Sequence, residues 1–320
     1  MARTQKNKAT NYHLGRLKGK LALLRSQLIT ESKTGGGKAG EGFDVARSGD
    51  ARVSMIGFPS VGKSTLLSTL TNTKSTAAAY EFTTLTCIPG VIDYNNSKIQ
   101  LLDLPGIIEG AAKGKGRGKQ VIAVARTSDL ILMVVEAAKA ELQMRLLTKE
   151  LEDVGIRINQ RPPDITYVVK KTGGFKFNST VPLTHCDEKL CKDICALQKI
   201  HNAEVLFRGD YTVDQFIDVV QGNRKYMRCL YVINKVDTIT MGEMDRLARL
   251  NDTVVISAHW KLNLDFLLEK LWVYLDCVRL YTKPRGKRPD FSEPVVLPRG
   301  TTILDVCNRI HRDFAKRFKT

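Results

Sequence analysis

Eight residues, Gly57-Phe-Pro-Ser-Val-Gly62-Lys63-Ser64, restrict the architectures open to this chain more than any other stretch. They spell G-x-x-x-x-G-K-S, follow the apolar run Arg52 to Gly57, and open a helix-compatible segment from Thr65 to Leu70. That strand–loop–helix setting is what a phosphate-binding P-loop requires. Glycines let backbone N–H groups converge on phosphate oxygens, and the helix N-terminus adds its dipole. Lys63 is placed to neutralise the outer phosphates, and the Ser64 hydroxyl is the expected magnesium ligand. Gly57, Pro59, Ser60, Val61, Gly62, Lys63, Ser64 and Thr65 form the first candidate nucleotide-binding set.

Around this loop, short apolar runs alternate with helix-like segments. Arg52 to Gly57, Ile99 to Asp103, Leu130 to Glu136, Cys229 to Asn234 and Val254 to Ser257 each read as a buried parallel strand. The alternation predicts an α/β domain with a mostly parallel sheet. Between Gly155 and Cys229 lies too much chain for one crossover. It holds a Gly-Gly turn at Gly173 and helix-like runs from Asp187 to Ile200 and Val213 to Val220, which predicts an inserted α+β subdomain. From Arg279 on, four prolines punctuate strand-like pieces before a helix with a basic face, Thr302 to Phe318.

Three further motifs end strands. Asp103-Leu-Pro-Gly106 can hold magnesium through Asp103, while Gly106 lets its N–H approach a γ-phosphate. Asn234-Lys-Val-Asp237 selects the base: the Asp237 carboxylate can accept from guanine N1–H and its exocyclic amine, a pair adenine cannot supply. Asn234 can tie this loop to the P-loop, with Lys235 between the two. Ser257-Ala-His259 follows the next strand, and there the Ala258 N–H is expected to face guanine O6. The set Asn234, Lys235, Asp237, Ser257, Ala258 and His259 favours GTP over ATP. Between P-loop and Asp103 lies Glu81-Phe-Thr-Thr84, where a first switch belongs, and one of its threonines should close on the metal.

Charge sets the partners. The 320 residues carry a net charge of +17 with a pI near 9.6, which suits polyanions such as nucleic acid or ribosomes. Much of it is N-terminal: Arg3, Lys6, Lys8, Arg16, Lys18, Lys20, Arg25 and Lys33 stand against the single acid Glu31. Leu14, Leu17, Leu21, Leu24 and Leu28 line one helical face there, expected to pack within the chain while the lysines face solvent or phosphate. A Gly-rich linker follows. The expected boundaries are 1–33 for the basic helical region, 34–49 for the linker and 50–158 for the first part of the GTP-binding domain. The insert spans 159–226, the domain's second part 227–278, and a small C-terminal module 279–320. No run approaches the roughly 20 apolar residues that span a bilayer, so no membrane partner is expected. Scattered cysteines read as reduced thiols in the cytosol or nucleus. His185, Cys186, Cys191 and Cys195 match no familiar zinc spacing, and buried structural thiols are the expectation.

With these residues placed, the chain resembles the developmentally regulated GTP-binding proteins, the eukaryotic/archaeal branch of the Obg-like GTPases in the translation-factor class. GFPSVGKST (Gly57 to Thr65), YEFTTLT (Tyr80 to Thr86), LLDLPGIIEGA (Leu101 to Ala111), GKGRG (Gly114 to Gly118), NKVD and SAH carry the likeness, with EGFDVA (Glu41 to Ala46) pointing to that branch. The resemblance puts Thr84, rather than Thr83, in the magnesium-threonine position. Lys63, Thr84 and Gly106 are the implied catalytic group, and Ser64, Thr84 and Asp103 the implied metal group. It implies a helical N-terminal region, an insert within the GTP-binding domain and a C-terminal TGS module of ubiquitin-like fold, which should run past Thr320. It also implies cytoplasmic work on ribosomes in translation, a zinc-finger regulatory partner and potassium stimulation, although Ser60 stands where potassium-using loops often carry asparagine. A monomer is expected.

One catalytic part is missing. Ras-like enzymes orient the attacking water with a glutamine after Asp-x-x-Gly, and here that position is Ile107. Slow turnover follows, with the missing group supplied by a partner, a monovalent cation or another part of the chain. Arg117 is the nearby arginine, although a basic loop explains it more simply. Two functions compete: a slow GTPase switch on ribosomes, and a nucleotide-stabilised RNA- or microtubule-binding scaffold with negligible turnover. A metabolic kinase lacks support, because NKVD serves base selection.

Overall fold

The computed structural model describes residues 8–34, 47–71, 88–104, 124–283, 286, 288–289, 291–292 and 294–310. Its elements run α1 (Lys8–Thr34), β1 (Ala51–Ile56), α2 (Lys63–Leu70), β2 (Ile88–Tyr94), β3 (Ser97–Asp103), β4 (Leu130–Glu136), α3 (Ala140–Asp153) and β5 (Ile156–Ile158). Next come β6 (Ile165–Val169), β7 (Phe175–Ser179), α4 (Glu188–Leu197), β8 (Ala203–Phe207), α5 (Val213–Gln221), β9 (Lys225–Asn234) and α6 (Met241–Ala248). The chain closes with β10 (Thr253–Val255), α7 (Leu264–Leu275), β11 (Cys277–Leu280), β12 (Val295–Pro298) and α8 (Ile303–Ile310). Contacts divide it into two compact units, residues 43–154 with 227–320, and residues 1–42 with 155–226.

The first of these is an α/β unit. Its sheet has the order β10-β9-β4-β1-β3-β2, with parallel pairing from β10 through β3. Strands such as Leu130-Ile-Leu-Met-Val-Val are apolar on both faces and buried on both, as a parallel sheet between helices demands. Leu66 of α2 and Leu267 and Leu271 of α7 pack into the core with Leu101, Leu132 and Val134. β1 lies between β3 and β4, so the strand order reverses at its C-terminal end. That is a switch point, where open α/β sheets leave a crevice for ligands.

β2 has no counterpart in the strand expectations. It pairs antiparallel to β3 through a two-residue hairpin, Asn95-Asn96, with φ of 51° and 57°. Both central residues are left-handed, as a type I′ turn requires, and asparagine tolerates that region better than most residues. The C-terminal segment adds the antiparallel pair β11–β12 and α8. The expected helix beyond Ile310 lies outside the described residues.

The other unit builds a three-stranded sheet, β6-β8-β7, with β6 antiparallel and β7 parallel to β8. Ala203, Val205 and Phe207 of β8 alternate inward onto α4 and α5, where Phe207 meets Phe216 at 5.6 Å between ring centroids. Asp187 caps α4 by accepting from Leu190 N. Thr212 and Gln215 form a reciprocal capping box on α5, which ends at left-handed Gly222. At the root of this unit, Lys225 N donates to Gly155 O at 3.0 Å. Beside it the buried Asp218 accepts from Arg157 (2.7 and 2.9 Å) and Arg224 (2.9 Å).

Helix α1 shares this core, and here one expectation is corrected. Leu14 is buried, but Leu21 and Leu24 are 39% and 50% exposed. The packed ridge runs through Gly15, Gly19 and Ala22. A side chain on Gly15 would meet Leu190 at 3.0 Å, and one on Gly19 would meet Ile194 and Leu197 at 3.5 Å. Small residues let helices approach closely, so the ridge that packs is the one without bulk. Lys18 faces solvent as expected and pairs there with Asp214 of α5, while Tyr12 bonds Asp193 of α4. Cys186, Cys191 and Cys195 are buried free thiols in the same core, and burial pushes Cys195 up to about 11. Among the described residues no cluster of His, Cys, Asp and Glu is arranged to hold a metal, and no helix is long and apolar enough to cross a membrane.

Candidate functional site

The site is assembled at the C-terminal ends of β1, β3, β4, β9 and β10. β1 ends at Ile56 and the chain turns through Gly57 to Gly62 into α2. Gly57 has no room for a side chain, since a Cβ would sit 2.2 Å from Val134 O of β4. Gly62 is restricted twice: its φ is +95°, and a Cβ would lie 2.4 Å from Asn234 Nδ2. Ser60 is also left-handed, at φ 64°. Val61 is buried, while Pro59, Ser60 and Thr65 are exposed at the mouth of the loop. The first turn of α2 carries no acidic residue, which leaves its N-terminus favourable to an anion.

Lys63 is 8% exposed and donates from Nζ to the carbonyls of Gly57 and Phe58, both at 3.0 Å. Burial lowers its pKa from the ordinary lysine value, and the nearby Asp103 charge partly opposes that. The ammonium is thus held inside the loop by two neutral acceptors. A polyphosphate would offer it formal negative charge in their place.

Ser64 Oγ donates to Asp103 Oδ2 at 2.8 Å, a contact set by the register that pairs Met55 with Asp103. The other carboxylate oxygen, Asp103 Oδ1, is buried without a hydrogen-bond partner. A buried acceptor without a donor is costly unless a cation or water meets it. A hydroxyl and a half-satisfied carboxylate beside a phosphate loop therefore fit a hard divalent cation.

Asn234 joins the two halves of the site. It is 3% exposed, donates from Nδ2 to Val61 O of the P-loop at 2.8 Å, and accepts from Ala258 N at Oδ1 at 2.9 Å. The Ala258 N–H, expected to face guanine O6, donates here to Asn234 Oδ1. Asp237 Oδ1 accepts from Ser257 Oγ at 2.6 Å, which fixes the carboxylate's orientation. His259 is exposed and stands edge-on to Trp260, 5.2 Å between centroids. Lys235 is left-handed, at φ 63°, and pairs with Glu136 at the end of β4. Glu136 was invisible in the motifs because it lies 99 residues from Lys235 in the chain. Thr83, Thr84, Gly106, Ile107 and Arg117 lie outside the described residues.

Comparison with known proteins adds to this geometry. The family profile "50S ribosome-binding GTPase" matches residues 52–171, "C-terminal region of MMR_HSR1 domain" residues 172–277, and "TGS domain" residues 278–320. The chain is 63% identical over 319 residues to Developmentally-regulated GTP-binding protein 2 of Homo sapiens, covering 100% of this chain and 87% of that one. It is 61% identical over 322 residues to Developmentally-regulated G-protein 1 of Arabidopsis thaliana, covering 100% and 80%. Among solved structures it resembles the G domain of the T. maritima FeoB iron transporter, at 19% identity and a TM-score of 0.39 over 70% of this chain and 98% of that one.

Proposed function

The chain belongs to the developmentally regulated GTP-binding proteins, within the Obg-like GTPases, and from that membership we propose that it hydrolyses GTP slowly with Mg2+ and acts as a ribosome-associated switch in translation. The observation that carries the nucleotide reading is the Asn234 bridge. One side chain ties the phosphate loop to the base loop, so the two ends of a guanine nucleotide are read by one connected body.

In this reading Lys63 exchanges the Gly57 and Phe58 carbonyls for the outer phosphates. The N-terminal turn of α2 offers its N–H groups to the same oxygens. Ser64 and Asp103, with Thr84, would hold Mg2+, which supplies charge against the β- and γ-phosphate oxygens. Gly106 lets its N–H come close to the γ-phosphate. Asp237, oriented by Ser257, accepts from the guanine edge, and this selects guanine over adenine. Lys235 and His259 flank the base.

Ile107 cannot orient water, so intrinsic turnover lies well below the roughly 1–100 s⁻¹ of kinases that carry all their catalytic parts. Potassium would supply positive charge at the bridging oxygen. Ile107 also favours the rival reading, a nucleotide-stabilised RNA- or microtubule-binding scaffold. Phosphate release from GTP at steady state, in matched potassium and sodium buffers and against ATP, separates the two. Slow, guanine-specific, magnesium-dependent turnover faster in potassium is expected. Equal binding of GTP and ATP would overturn the base assignment, and absence of turnover would favour the scaffold.

The name of the family profile and the basic charge support ribosome or RNA association. Co-sedimentation with ribosomes under GTP, GDP and a non-hydrolysable analogue tests it, and nucleotide-dependent pelleting is the expected result. A zinc-finger regulatory partner, a monomeric state and a cytoplasmic location, with nuclear access, complete the proposal.

A further inference from the structure

The base loop carries one lysine, Lys235. Its backbone is left-handed at φ 63°, which turns the side chain out of the line of β9. The ammonium then reaches Glu136 Oε1 at 3.0 Å. The register explains the meeting: Glu136 and Asn234 are paired across β4 and β9, so the residue after Asn234 rises directly over the end of β4. Glu136 is itself held, because its N–H donates to Oε1 of the buried Gln143 at 2.9 Å. Side-chain exposures of 37% for Lys235 and 31% for Glu136 make this a partly exposed pair.

The loop therefore holds two side chains from two directions. Asp237 is fixed by Ser257, and Lys235 is fixed by Glu136. A free lysine has many rotamers, and binding must pay to order them, whereas a side chain ordered beforehand avoids that cost. Once its ammonium is tethered, what Lys235 presents to the pocket is its four-carbon stem, an apolar rod suited to the flat face of a purine.

With the Lys235 stem along the guanine face taken as part of the guanine-nucleotide reading, we propose that Glu136 is a positioning residue of the base pocket, drawing the Lys235 ammonium to the end of β4. This rests on the guanine-nucleotide reading above. Contact with the face of a base is indifferent to its hydrogen-bonding edge. Removal of Glu136 should then weaken every purine that shares the face, whatever its edge offers.

The test titrates the full chain with GDP and with inosine diphosphate, which lacks the exocyclic amine, by displacement of a fluorescent nucleotide. The proteins are wild type, Glu136→Gln, Lys235→Met and the double variant. Glu136→Gln should weaken both ligands by the same factor of about 3 to 5, the scale of a partly exposed ion pair. The GDP-to-IDP affinity ratio and the melting temperature of the nucleotide-free protein should stay at wild-type values. In the Lys235→Met background, Glu136→Gln should have no further effect. Unchanged affinity in Glu136→Gln, or an effect that persists in the double variant, would overturn the proposal. So would a fallen GDP-to-IDP ratio, since the edge-reading geometry would then be what Glu136 supports. Wild type that binds no GDP would instead overturn the guanine reading itself.

Discussion

Asp237 shows how one carboxylate divides its oxygens between holding a position and reading a ligand. Oδ1 accepts from Ser257 and sets the plane of the group. Asp237→Asn keeps that shape but replaces one acceptor with a donor, which faces the guanine N1–H and amine with a clash of like donors. We expect GDP affinity to fall by about 100-fold or more, while xanthosine diphosphate, whose edge offers an acceptor there, gains. Competition titration with GDP, XDP and ADP reads both changes, and an unchanged order of preference would remove Asp237 from base selection. Ser257→Ala should produce a smaller loss, because the carboxylate remains but loses its guide.

At the scale of elements, two contacts inside the unit of residues 1–42 and 155–226 can be tested. Asp218 is buried between Arg157 and Arg224, and without its charge two guanidinium groups are left facing each other. Breaking a buried pair from one side commonly costs about 3 to 5 kcal/mol. Asp218→Asn should therefore shift the urea midpoint of this unit sharply downward, while GDP binding at the α/β unit holds at concentrations below that transition. One coincident transition that moves for both probes would show that the clamp supports the whole chain. The second contact is the glycine ridge of α1. Gly15→Leu would drive a side chain into Leu190 and Val213, so α1 should become protease-sensitive in otherwise folded protein. This ridge also marks where the sequence stopped being legible. Leucine spacing announces a helix, but glycines carry no apolar signal, so the face that packs was read one ridge away. β2 was illegible for a related reason, because Pro89 and Gly90 interrupt its apolar pattern. Gly90 is needed there, since a Cβ would stand 2.5 Å from Thr71. The phosphate loop and the Asn234 loop were legible because each is a short contiguous run whose chemistry is local. The bond from the Ala258 N–H to the Asn234 side chain was not legible. Partners 24 residues apart do not reveal such a bond in the sequence.

The whole molecule carries +17, and the proposed ribosome contact should show it. Each phosphate contact releases counterions, so log affinity should fall linearly with log salt, losing about 0.7 to 0.9 of slope per contact removed. Neutralising Lys6, Lys8 and Lys20 together should flatten the slope by roughly 2 while GDP affinity holds, because none of them lies in a nucleotide motif. Lys18 is spared in that design, since it pairs with Asp214 and its loss would also loosen α1. A slope that does not change would make the N-terminal charge a solvated face only.

The sharing of one core between the two ends of a long stretch of chain also sets an order of events. Helix α1 is made first, but the helices it packs on begin at Glu188 and Val213. Roughly 150 to 180 residues must emerge before either exists, which at about 5 to 20 residues per second takes on the order of 10 to 40 s. Through that interval the nascent chain carries a lysine-rich helix with an uncovered glycine ridge, while the α/β unit between is still being written. The wait ends in two steps, at α4 and then at α5, so a pause or truncation before Glu188 strands the first helix without the Leu190, Ile194 and Leu197 surface its glycines meet.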